Sequence, residues 1–137
     1  MAYWWLNTNR KIWTFDKITE GEQEPFLLYN DNGKRRNIPK NFDVIQKGDL
    51  IIGYESTPTK KIVALCECSY ASNGDSIGIK KNVQLYNPVC ISEIEEIPEL
   101  QQMQFLKIHK GTLFSMTPNE YQLVRSIIKQ HNKNQDI

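Results

Sequence analysis

The chain has 137 residues, 39% of them hydrophobic and 24% charged, with 17 basic residues against 16 acidic ones. That is the composition of an ordinary globular domain long enough to bury a core, and it excludes disordered and fibrous classes. The near-neutral balance argues against coating nucleic acid by charge alone but leaves room for a local basic patch.

Ala2 to Asn7 is aromatic and reads as a strand, followed by an Asn/Thr/Arg loop. The start lacks the basic residues and apolar run of a secretory signal. Apolar Ile12, Trp13, Phe15 and Ile18 suit a short helical turn lying on a sheet. Phe26 to Tyr29 is expected as a second short strand, and Asn30-Asp31-Asn32-Gly33 as a turn, because Asn and Gly tolerate positive φ. Lys47-Gly48-Asp49 marks another turn, with a central strand from Leu50 to Glu55 that Ser56-Thr57-Pro58-Thr59 breaks. Ile62 to Tyr70 is apolar enough to be a buried strand. Two more strands are expected over Ile77 to Tyr86 and Pro88 to Ile94, split by Asn87-Pro88. Five or six short strands at close spacing make a small barrel or a strongly bent sheet.

Two helices close the chain. Glu99 to Met103 follows Pro98, which suits a first helical turn. Thr117, Pro118 and Glu120 form an N-cap, a first-turn proline and a capping box for a helix over residues 118–131. Tyr121, Val124 and Ile128 share one of its faces, with Leu123 and Ile127 beside it. Residues 1–131 therefore read as one domain and 132–137 as a polar tail or linker. No stretch approaches the roughly 18 apolar residues of a membrane helix.

Cys66 and Cys68 sit two apart in a strand and should share a face, as small apolar core residues of a protein in a reducing cytoplasm. Cysteine makes an odd set of three, and His109 and His131 show no paired spacing, so no zinc site is expected. The chain has no Gly-x-Ser-x-Gly, His-Glu-x-x-His or Walker-type loop, and the two histidines have no neighbouring nucleophile motif. The expected role is binding rather than catalysis, with no metal and no cofactor.

Strand alternation sends Tyr3, Trp5 and Asn7 to one face and Trp4 and Leu6 to the other. For any single Trp the pattern favours core. Rings combined with Asn7 and Tyr54 make an aromatic pocket with a polar member plausible. Leu50, Ile52, Tyr54 and Ser56 share a strand face, and Gly53 between them permits close approach of backbone or ligand. Lys34, Arg35, Arg36, Lys40 and Lys47 enclose only Asp43, and Arg35-Arg36 after a glycine turn suits phosphate. Glu93, Glu95, Glu96 and Glu99 should face away from any nucleic acid.

Five segments in order resemble an EVE domain of the PUA-like superfamily, related to YTH domains. They are Tyr3-Trp4-Trp5-Leu6-Asn7, Lys11-Ile12-Trp13, Gly33-Lys34-Arg35-Arg36, Lys47 to Ser56, and Gly111-Thr112-Leu113-Phe114. The variant most similar is the one joined to AAA+ GTPase subunits of modification-dependent restriction systems, and the likeness spans about residues 2 to 130. The resemblance implies an α+β fold: a curved five- to six-stranded β-barrel flanked by short helices. It also implies a reader that flips a methylated base of DNA into an aromatic pocket and gives specificity to a restriction complex whose motor and nuclease subunits lie elsewhere. By resemblance, Trp5, Asn7, Trp13, Tyr54 and Ser56 line the base pocket, and Arg35, Arg36 and Lys40 lie near the nucleic-acid backbone. The alternative is an RNA-binding or RNA-modification-related PUA-like domain.

Overall fold

The computed structural model describes every residue except His109, so the histidine weighed above as a ligand or catalytic group lies outside the described residues. Among the described residues the strands are β1 (Tyr3–Thr8), β2 (Gln23–Leu27), β3 (Leu50–Glu55), β4 (Lys61–Tyr70), β5 (Ser76–Cys90) and β6 (Leu113–Met116). The α-helices are α1 (Pro39–Val44), α2 (Ile91–Glu95), α3 (Gln104–Lys107) and α4 (Pro118–His131). The strands form one curled sheet in the order β2-β5-β4-β3-β1-β6. All neighbours are antiparallel except β1 and β3, which run parallel with Trp5 opposite Ile52 and Asn7 opposite Tyr54. The resemblance implied a curved five- to six-stranded barrel flanked by short helices, and the six-stranded sheet curls into a half-barrel with such helices around it.

Strand alternation divides the apolar residues between two cores. Trp4, Leu6, Ile51, Cys66, Cys68, Ile77 and Ile79 face the inside of the curl, where the Phe15 turn, Phe26 of β2 and Phe42 of α1 close over them. Trp5, Ile52, Tyr54, Leu65 and Phe114 face the other way, under Ile94, Leu100, Met103 and the Tyr121/Val124/Ile128 stripe of α4. Cys66 and Cys68 thus share a buried face as expected, while Cys90 is exposed. Phe15 uses Gly53 as its seat: a Cβ there would stand 2.8 Å from the ring, so the close approach is by a core ring and not by a ligand.

Several boundaries differ from the sequence reading for identifiable reasons. The two strands expected around Asn87-Pro88 are one long β5, because its pairing with β4 shifts register between Ile62 and Ala64, and a proline fits such an irregularity. Beyond Cys90 the chain becomes α2 instead of continuing as strand to Ile94. The second strand is Gln23–Leu27, displaced toward the N-terminus; β2 is an edge strand, so Pro25 removes no needed donor. Residues 12–18 give only a 3₁₀ turn at Phe15–Lys17, capped by the Thr14 hydroxyl. The helix expected at Glu99–Met103 is a 3₁₀ turn at Pro98–Leu100, with α3 beginning later. α1 has no counterpart in the sequence reading; it begins at Pro39, after Ile38 in the left-handed region at φ 53°.

α4 carries the complete capping box, with Thr117 Oγ1 accepting from the Glu120 N–H and Glu120 Oε1 from the Thr117 N–H. Residues 132–137 are fastened to the sheet rather than hanging free. Asn132 is buried and bonds the Asn87 backbone, Gln135 bonds the Gln84 carbonyl, and Ile137 packs against the helix-side core.

Candidate functional site

Where β1 and β3 end side by side, the chain leaves a cleft of about 290 Å³. Asn7, Thr8 and Ser56 come from the strand ends, Ile12 and Trp13 from the following loop, and Phe26 from β2. Asn30 and Arg36 come from the hairpin beyond β2, and Gly111 and Thr112 from the lead into β6. The hairpin follows from its Asn30-Asp31-Asn32-Gly33 turn: Gly33 takes φ 81°, and the Arg36 N–H donates back to the Leu28 carbonyl at 3.0 Å.

The loop that carries Trp13 is held from below. Glu55, at the end of β3 and only 2% exposed, accepts from Thr14 Oγ1 at 2.9 Å and from Arg10 Nη1 at 3.1 Å. Arg10 also reaches Asp16 at 2.7 Å, and these partners push the Arg10 pKa up. The Ile12 and Trp13 N–H groups both donate to the Asn9 carbonyl. Trp13 itself is half-buried: its Nε1–H donates to the Pro25 carbonyl at 3.1 Å, and its ring meets Phe15 and Phe26 edge-on at 5.0 and 5.1 Å. Glu55, Arg10 and Phe26 do not stand out in the sequence as site residues. An acid closing an apolar strand is the available signal, since a buried carboxylate requires partners.

The expected base-pocket residues separate into two groups. Asn7, Trp13 and Ser56 come together in the cleft. Trp5 and Tyr54 do not open on it. Trp5 is fully buried, stacked 4.7 Å from Phe105, and Tyr54 lies 5.2 Å from Trp5 in the helix-side core. The physical reason is that both rings belong to the sheet face covered by helices, whereas the cleft begins where that cover stops. Burial pushes the Tyr54 phenol up to about 12, with the Glu95 charge adding to the effect.

Most polar groups in the cleft are already engaged. Ser56 Oγ donates to the Thr8 carbonyl at 2.9 Å, and Asn7 Nδ2 donates to the Gly111 carbonyl at 3.2 Å, leaving Asn7 Oδ1 without a partner among the described residues. The basic residues also divide. Arg35 is exposed, paired with Asp43 at 3.0 Å and set over the Tyr29 ring, and Lys40 is exposed on α1. Arg36 turns into the cleft instead, its guanidinium 4.6 Å from the Phe26 ring centre. Among the described residues no carboxylate lines the cleft, and Glu93, Glu95, Glu96 and Glu99 are all outside it. Among the same residues no group of three or more His, Cys, Asp or Glu side chains could hold a metal.

The EVE domain family matches residues 2–127. The chain belongs to that family. Solved structures agree with this EVE fold over nearly its whole length. Rpa0253 from Rhodopseudomonas palustris has a TM-score of 0.79 at 20% identity, covering 99% of this chain and 97% of that one. A hypothetical protein from Leishmania major reaches 0.80 at 13% identity, with 98% of each chain covered. Human THYN1, solved in complex with DNA containing 5-methylcytosine, has a TM-score of 0.75 at 9% identity, covering 94% of this chain and 98% of that one. At these identities the likeness is one of fold. No curated protein matches in sequence.

Proposed function

We propose that this EVE domain reads a modified base in DNA by holding it, flipped from the helix, in the cleft beside Trp13. The observation that carries the reading is the cleft itself: a half-buried indole, neutral polar groups at the strand ends, one cation and no carboxylate in the described lining. The THYN1 complex with 5-methylcytosine DNA supports it, since that fold serves DNA with a modified base in one relative. Asn7 and Ser56 line the cleft, where they can meet the edge of the base, and Arg35 and Lys40, exposed on the hairpin and α1, are our candidates for contacts to phosphates of the strand.

The energetics set a condition on this mechanism. Extruding a base costs a few kcal/mol, and stacking on a ring returns about 1–3 kcal/mol. Because Trp5 and Tyr54 do not line this cleft, Trp13 is its aromatic platform, with Phe26 behind it. One platform does not offset the flip by itself, so contacts to the sugar-phosphate backbone must supply the remainder.

The domain supplies recognition and no chemistry of its own. Its place is as the specificity module of a cytoplasmic modification-dependent restriction complex, with AAA+ GTPase and nuclease subunits as partners. A fluorescence polarisation panel tests the reading, using matched DNA and RNA oligonucleotides that are plain, carry 5-methylcytosine or carry N6-methyladenine. Tighter binding to one modified DNA than to its plain counterpart is the expected result. Preference for RNA, or equal binding throughout, contradicts it.

A further inference from the structure

We infer that the cleft is a nucleotide site rather than a base site, with Arg36 as the internal anchor for the phosphate of the same nucleotide whose base lies against Trp13. This rests on the base-reading proposal and adds an anionic requirement to it.

The argument starts from how Arg36 is held. Its Nε–H donates to the Leu27 carbonyl at 2.7 Å and its Nη1 to Asn30 Oδ1 at 3.3 Å, while its Cζ lies over the Phe26 ring. Backbone, amide and ring fix the guanidinium in place and leave the rest of its donor fork unengaged. Among the described residues it forms no ion pair, unlike its neighbour Arg35, which is bound to Asp43. Burial lowers the Arg36 pKa, and Asp31 opposes this only by its charge at a distance.

A fixed, partly desolvated cation without a paired carboxylate is relieved most by an anion, because a neutral acceptor satisfies an N–H but leaves the charge uncompensated. Guanidinium also matches phosphate oxygens in pairs. Trp13 and Arg36 contact the same Phe26 ring, at 5.1 Å and 4.6 Å. The aromatic platform and the cation are therefore within the span of one nucleotide. The remaining polar side chains of the lining, from Asn7, Thr8, Asn9, Asn30, Ser56 and Thr112, carry no charge to oppose an anion.

The test uses the full chain and direct calorimetric titration with two pairs of probes. These are the nucleosides 5-methyl-2′-deoxycytidine and N6-methyl-2′-deoxyadenosine, and their 5′-monophosphates. For the preferred base, the monophosphate should bind at least tenfold more tightly than the nucleoside. Arg36→Ala should remove that advantage and Arg36→Lys should restore part of it, while Arg125→Ala, which removes an equal charge from α4, should leave it unchanged. Equal binding of nucleoside and monophosphate by the parent protein, or no binding of either monophosphate, overturns the inference without any variant. The base-reading proposal fails separately, if duplexes with and without the modification bind alike while the monophosphate advantage persists.

Discussion

Trp5 and Trp13 share a side chain and differ in what covers them. Trp5 lies under Phe105 of α3, with no exposed surface and its Nε1–H unpartnered among the described residues. Trp5→Ala should therefore cost about 3–5 kcal/mol of stability, the usual range for a buried large aromatic, read as a lowered denaturation midpoint. Losing DNA binding without losing stability would place Trp5 in the cleft after all. The candidate cleft is legible in part: Asn7, Trp13 and Ser56 are marked by the sequence and line one cleft. Trp5 and Tyr54 group with them in the sequence because strand alternation assigns a face but does not say where the cover over that face ends. Arg35 and Arg36 look equivalent as neighbours; only the hairpin geometry sends one to Asp43 and the other into the cleft.

Among the elements, the loop between β1 and the Phe15 turn decides whether Trp13 is a platform or a mobile side chain. Its fastening depends on the Glu55 carboxylate, which receives both Thr14 and Arg10. Glu55→Gln keeps the shape and removes the charge, so it should destabilise the protein by about 1–3 kcal/mol and weaken modified-DNA binding through a looser loop. Stability measured by denaturant and affinity measured by polarisation should fall together; an unchanged pair of values would show that the network does not hold the loop. α4 offers a contrast. Thr117→Ala should cost about 0.5–2 kcal/mol with base preference unchanged, because neither Thr117 nor Glu120 of the capping box lines the cleft. A shifted preference would show that α4 communicates with the site. α4 is readable in the sequence because its cap and its apolar stripe are both local signals. α1 is not, since Pro39 starts it only through the left-handed Ile38 and tertiary packing of Phe42 and Ile45. The long β5 is hidden behind Asn87-Pro88 because a register shift in the sheet absorbs the proline.

At the scale of the whole molecule, a net charge of +1 leaves room for a local basic excess. Residues 31–43 hold Lys34, Arg35, Arg36 and Lys40 against Asp31 and Asp43, with Arg36 lining the cleft, while Glu93 and Glu95 are on α2, with Glu93 paired to His131 at 2.7 Å. Binding should accordingly weaken with salt. Replacing both Arg35 and Arg36 with Ala should flatten the slope of log affinity against log salt by roughly 0.7–0.9 for each phosphate that is no longer neutralised. A slope as steep as the parent's would show both arginines to be idle in the complex. The most direct measurement of the central claim compares parent and Trp13→Ala proteins on a duplex with and without its methylated base. Trp13→Ala should remain folded by circular dichroism and bind the methylated duplex more than tenfold more weakly. That weakening corresponds to about 1.4 kcal/mol, within the range for one stacked base. A folded Trp13→Ala protein with undiminished affinity for the methylated duplex would contradict the account.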